Sequence, residues 1–227
     1  MAFTEVRAEK VTRVYGATRA LAGVTLTFRA GEVATLEGGN GAGKSTLLSV
    51  LATLARPTSG EVRWGDLRWP DDRQEIRAQV GLVAHDAMVY PDLTARESLA
   101  LMASLHHLAD PAAAVESALQ RAGLRDLAER PGRTFSRGQL QRLSLARAEL
   151  HDPSLLLFDE PTTGLDQGAV ARLEQGLREA RDRGRVVVVV THDMGFAARV
   201  ADVRITLTRG RVSAIDRAKG AAAADGG

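Results

Sequence analysis

Val24, Leu26 and Phe28 alternate with Thr25, Thr27 and Arg29, the two-residue period of a strand with one face in a core. Further strands are predicted over Phe3 to Lys10, over Val33 to Glu37, over Glu61 to Trp64 at a sheet edge, and over Val80 to Ala84 in a buried position. Between them Leu47, Leu48, Leu51 and Leu54 recur at helical spacing. Lys44 to Ala55 is therefore predicted as a helix, broken by Pro57 and Gly60. From about residue 93 to 150 the strand pattern disappears. Thr94 with Glu97 is a capping box that opens a helix through about His107. Asp110 caps a second helix with Pro111 at its first position, and Gly123 closes it. The last third returns to alternation. Ser154 to Phe158 predicts a buried strand, Gln167 to Arg183 a helix ended by Gly184, and Val186 to Thr191 a central parallel strand. Short strands over Asp202 to Leu207 and Arg211 to Ile215 complete the set. The order predicts an α/β fold: a parallel sheet covered on both faces, with a helical lobe inserted at about 93–150. One domain spans 1–216, and the tail 217–227 has no apolar anchor and is expected to fray.

Composition narrows this picture. The chain has 227 residues, 44% hydrophobic and 26% charged, enough to bury a core without staples. No cysteine is present, which excludes disulfides and thiolate metal sites. The longest aliphatic run is Val186 to Val190, far below the ~20 residues that span a bilayer. The opening MAFTEVRAEK has no apolar signal core, so the chain is expected to be neither membrane-spanning nor exported and any membrane role needs a separate partner; the absence of cysteine fits a cytoplasmic location. Net charge is +2, with 30 basic against 28 acidic residues and no block of five like charges. No nucleic-acid partner is expected.

The chemistry concentrates at Gly38-Gly39-Asn40-Gly41-Ala42-Gly43-Lys44-Ser45-Thr46, which satisfies G-x-x-x-x-G-K-[ST] between a strand and a helix. Glycines let successive N–H groups curl toward one phosphate, and the following helix aims its positive end at the same anion. Lys44 is expected to reach the β- and γ-phosphates of ATP, and the Ser45 hydroxyl to ligate Mg²⁺. A second element, Leu155 to Glu160, is an apolar strand ending in two carboxylates. Buried acids are costly unless they meet cations. Asp159 is expected to hold Mg²⁺ through water, and Glu160 to act as general base on the attacking water.

Phe135-Ser136-Arg137-Gly138-Gln139, just before a helix, resembles the signature loop of the ATP-binding-cassette (ABC) ATPases, and with the two elements above the likeness covers nearly the whole chain. The resemblance implies a P-loop NTPase fold of the ABC-ATPase type, with a mainly parallel core sheet, an antiparallel N-terminal β region and an inserted helical subdomain. It implies that Tyr15 stacks on adenine, that Gly164-Leu165-Asp166 is a dimer-contact loop, and that His192 is the switch histidine at the γ-phosphate. It also implies a homodimer sandwiching two ATP molecules, each held by the phosphate loop of one copy and the Ser136, Arg137, Gly138 and Gln139 loop of the other. Blander readings stand beside these: a surface aromatic for Tyr15, a core histidine for His192 and a helix cap for Asp166. Adjacent His106 and His107 do not share a helix face, which argues against joint ligation.

Two positions depart from the family. His85 stands where the family has a glutamine that touches Mg²⁺ and the attacking water; a neutral imidazole can do either, and protonation near ~6.5 would remove that ability. Arg137 stands where Gly is usual. Gly39, where Pro is frequent, leaves the cradle intact. A subunit of this type is similar to those that dock on a separate integral-membrane permease, at the cytoplasmic face of the inner membrane. The segment His85 to Thr94, with Met88, Val89, Tyr90 and Leu93, corresponds to the permease contact. His85, YPDLTARESL and GAVARLE further resemble the ATPase subunit of bacterial haem exporters for cytochrome c maturation, with no haem ligand expected in this chain. The competing readings are an exporter ATPase for drugs, lipids or polysaccharides, an importer ATPase, and a soluble cassette acting on ribosomes or DNA.

Overall fold

The computed structural model describes residues 3–84 and 89–218. Two strands, β1 (Glu5–Tyr15) and β2 (Thr18–Arg29), form an antiparallel hairpin. Gly16, at φ 56°, turns it. The strand expected to stop at Lys10 runs on to Tyr15 because the register slips between Ala8 and Val11, where Lys10 takes φ 49°. That bulge lets the strand bend and continue. After β3 (Glu32–Glu37) and α1 (Lys44–Leu51) come β4 (Ser59–Trp64) and the two-residue β5 (Leu67–Arg68). The first sheet has the order β2-β1-β4-β5, so β4 is not the outermost strand as expected.

The chain continues with α2 (Arg73–Ala78) and β6 (Val80–Val83). The helical lobe holds α3 (Ala95–Leu105), α4 (Pro111–Arg121) and α5 (Arg137–Glu149). Then follow β7 (Leu155–Asp159), α6 (Gln167–Asp182), β8 (Val186–Val190), α7 (Met194–Val200), β9 (Val203–Thr208) and β10 (Arg211–Arg217). The second sheet has the order β10-β9-β3-β8-β7-β6 and is parallel except for β10. The all-valine β8 sits inside it with every residue buried, as a central parallel strand requires. By contrast β6 is an edge strand in which only Gly81 and Val83 are buried. The expected capping box at Thr94 is present: Thr94 Oγ1 accepts from Glu97 N and Glu97 Oε2 accepts from Thr94 N.

Three apolar clusters hold the layers. One joins the first sheet to α1 and one face of the second sheet through Phe28, Leu47, Leu51, Trp64 and Leu157. A second covers the opposite face with α6 and α7 through Phe158, Leu173, Leu177 and Phe196. A third lies within the helical lobe around Leu99, Leu119 and Leu143. Short α2 and α7 carry too few apolar repeats to show a helical period; α7 is started by Asp193, whose Oδ1 accepts from Phe196 N. Arg217, placed in the tail by the sequence, closes β10 and pairs with Glu32 at 2.7 Å; residues 219–227 lie outside the described residues. Among the described residues no helix is long and apolar enough to cross a membrane.

Candidate nucleotide site

The carboxyl ends of β3, β7 and β8 carry the predicted chemistry to one place. A parallel sheet puts all three strand ends on the same edge. Residues 40–46, Asp159, Glu160, Val190 and His192 line one cleft of about 510 Å³, closed at the side by Thr18, Arg19 and Ala20.

Two glycines of the loop have no substitute. Gly38 takes φ 134°, and a methyl on it would sit 2.2 Å from the carbonyl oxygen of Leu207. Gly43 takes φ 104°, and its methyl would lie 2.5 Å from the Ala20 carbonyl. The loop is thus pressed between β9 and the hairpin. Gly210 N donating to Ala42 O (2.9 Å) ties it down further. Gly39 and Gly41 face open space. Lys44 is buried, and its ammonium donates to Gly38 O (2.7 Å) and Gly39 O (3.1 Å). A charged amine held on two carbonyls has a third donor to offer. Ser45 and Thr46 occupy the first turn of α1. Below the loop, Glu37 is clamped by Arg204 at 2.7 and 2.9 Å, which pins the end of β3 to β9.

Asp159 ends β7 and is 8% exposed. Glu160 takes φ 52°, a left-handed conformation uncommon for a residue with a side chain, with its N–H donating to Val190 O at 2.9 Å. Glu160 Oε2 accepts from the His192 backbone at 3.2 Å. His192 Nε2 stands 3.2 Å from Glu160 Oε1, and Oε1, itself buried, makes no hydrogen bond among the described residues. A buried acceptor without a donor is costly. Glu160 itself lines the cleft. The glycine cradle, the spare ammonium donor, the Ser45 hydroxyl and the two carboxylates suit a nucleotide with a divalent cation.

Other candidates lie elsewhere. Tyr15 is 46% exposed at the tip of β1, paired across the hairpin with Thr18, which lines the cleft. One face of its ring is taken by the Arg13 guanidinium, 4.3 Å from the centroid, and Arg13 is anchored on Arg56 O. A register shift between Arg13 and Val14 separates Arg13 from Tyr15, so plain alternation along β1 does not reveal the contact. The Ser136–Gln139 loop does not line this cleft. It caps α5: Ser136 Oγ accepts from Gln139 N, and Gln139 Oε1 accepts from Ser136 N. Asp166 caps α6, accepting from Ala169 N at 2.7 Å. His106 stacks on His151, centroids 3.7 Å apart, and not on His107. His85 and Met88 lie outside the described residues; Val89 packs against the helical-lobe core and Tyr90 is 61% exposed.

The ABC transporter family profile matches residues 21–163, from β2 through the two carboxylates. The chain belongs to the ABC transporter family. It is 37% identical over 210 residues to the lipoprotein-releasing system ATP-binding protein LolD 1 of Caulobacter vibrioides, covering 86% of this chain and 87% of that one. It is 38% identical over 187 residues to the cytochrome c biogenesis ATP-binding export protein CcmA of Paramagnetospirillum magneticum, covering 82% and 86%. Among solved structures, a dimeric post-hydrolysis state of an ATP-binding cassette bound to ADP and Pi is 30% identical, covers 95% of this chain and 99% of that one, and has a TM-score of 0.86. The chain is thus an ABC ATPase, an ATP-hydrolysing subunit of a transporter, and its two sheets and helical lobe are the fold of that family.

Proposed function

We propose that this ABC ATPase works as a homodimer on a separate integral-membrane permease, at the cytoplasmic face of the cell membrane, closing around two ATP molecules. The observation that carries the reading is the one-sided cleft. It holds a phosphate cradle, Lys44 and Glu160 but no residue of the Ser136–Gln139 loop. A second copy in head-to-tail packing supplies that loop, with the helix end of α5 behind Ser136 and Gly138 aimed at the γ-phosphate. The relative solved with ADP and Pi is itself a dimer.

In this reading the loop amides and Lys44 bind and orient the triphosphate, and Tyr15 holds the adenine on its free face. Ser45 and Asp159 would hold Mg²⁺, joined by His85, and the ion would neutralise charge on the β- and γ-phosphates. Glu160 Oε1 takes a proton from the attacking water, and the backbone contact from His192 keeps the carboxylate in place. Loss of the γ-phosphate removes contacts shared between the copies, so the dimer opens.

For cargo we propose haem export for cytochrome c maturation. His85 and the segments YPDLTARESL and GAVARLE favour it, as does the 38% identity to a CcmA protein. Purification from native membranes tests both levels. Recovery with a polytopic partner whose loss blocks haem delivery supports the proposal. Recovery with a lipoprotein-releasing partner overturns the cargo, and recovery with ribosomes overturns the transporter role.

A further inference from the structure

Arg137 is the departure from the family loop that the nucleotide chemistry leaves unexplained. Arginine carries a stem of three methylenes that packs independently of its charge. Here that stem crosses to the turn after Glu160. A methyl on Gly164 would lie 2.9 Å from Arg137 Cγ and 3.0 Å from its Cδ, so the stem rests on the bare face of Gly164. The backbones meet as well: a methyl on Gly138 would lie 2.8 Å from Gly164 O. One helical turn further on, buried Gln141 donates its Nε2 to Pro161 O at 3.1 Å. The first two turns of α5 thus grip the segment 161–164 at three points.

That segment starts at the candidate base. Thr163 N donates to Glu160 O (3.2 Å), Leu165 N to Thr162 O (3.1 Å), and Asp166 then caps α6. Glu160 itself holds a left-handed backbone, which persists only when its surroundings over-determine it. Whatever fixes the 161–164 turn fixes the aim of Glu160.

We infer that Arg137 is a positioning residue: its aliphatic stem braces Gly164, and through the 160–166 turn it sets the catalytic carboxylate of its own subunit. This rests on Glu160 being the general base. The brace gives the α5 loop a second task besides any contact with the partner's nucleotide. Its working part is the stem, since the guanidinium makes no ion pair or hydrogen bond among the described residues.

A double-mutant cycle tests it, with Arg137→Gly, Gly164→Ala and both together in the full chain. Readouts are kcat for ATP hydrolysis, nucleotide affinity by titration, and Tm. Arg137→Gly is expected to lower kcat with affinity changed less than about twofold and Tm little moved. Gly164→Ala carries the strain of its φ of 77° in either background, but its clash with the stem vanishes in the double variant, giving a coupling of about threefold or more in kcat. Arg137→Met restores an unbranched stem without charge and should recover most of the lost kcat. Additive effects on kcat, or an Arg137→Met variant as slow as Arg137→Gly, overturn the inference. Glu160→Gln mixed with ATP separates the two levels. If it dimerises while the cycle is additive, only the brace fails; if it neither dimerises nor loses turnover, the reading of Glu160 fails and the brace with it.

Discussion

His151 gives the protein a stability that acid removes. It sits at the seam of β6 and the helical lobe, in a cavity of about 210 Å³ with Met102, His106 and Arg147. Burial is the main force on its ring, and the stacked His106 adds to it, pulling the pKa from the ordinary 6.5 down to about 4. Asp152 and the Val80 backbone oppose this and Arg185 assists it. Among the described residues neither ring nitrogen has a hydrogen-bond partner of good geometry, although the Val80 backbone lies near enough to favour the charged ring. His106 is displaced in the same direction by burial and by His107. The folded pKa is depressed, so as pH falls the unfolded chain takes the proton first. Stability is complete above about 6.5 and drains away toward about 4. At pH 5 an unfolded histidine is almost fully charged, while His151 in the fold is charged about a tenth of the time. The linkage integral gives a loss of about 2 kcal/mol between pH 7.5 and pH 5 from this residue. His151→Phe keeps a ring for His106 to stack on and removes the titration. Urea unfolding at both pH values should show the parent losing about 2 kcal/mol more than the variant. Equal losses, within about 0.5 kcal/mol, would refute the reasoning.

The glycine loop offers a sharper contrast within two residues. Gly38→Ala drives a methyl into the Leu207 carbonyl and should cost at least about 1–3 kcal/mol by denaturant unfolding, while Gly39→Ala, facing open space, should stay within about 0.5 kcal/mol. Arg13→Ala removes the cation behind the Tyr15 ring and should raise the ATP Kd about two- to fivefold by calorimetric titration, with Tm unmoved; an unchanged Kd argues that Tyr15 is no adenine platform. Lys44→Ala removes a charge-assisted donor from the triphosphate and should weaken ATP binding about ten- to a hundredfold in the same assay; parent-like affinity contradicts its role.

Most of the fold was legible because strong periodic signals wrote it. Val186 to Val190 could only be a central strand, and Thr94 with Glu97 could only open a helix. The errors fall where neighbours, not the segment, decide. Val80 to Val83 is apolar yet lies at an edge, with no strand paired beyond it among the described residues; α5 shields it instead, with Ala148 O 2.2 Å from where a Gly81 methyl would sit. The strand break expected at Lys10 failed because a bulge absorbed it. At the site, Lys44, Asp159 and Glu160, singled out by their motifs, line one cleft. It could not show the left-handed Glu160, the orphaned Oε1 or the Arg137 stem on Gly164, all of which arise from contacts between distant segments.

The central claim is that one copy holds half of each ATP site. Light scattering of the Glu160→Gln variant, with and without ATP, measures it most directly. The account predicts monomer without nucleotide, a doubled mass with ATP, and return to monomer when Ser136→Glu is added, because the added charge would oppose the partner's γ-phosphate. A protein that binds ATP yet keeps the monomer mass would contradict it.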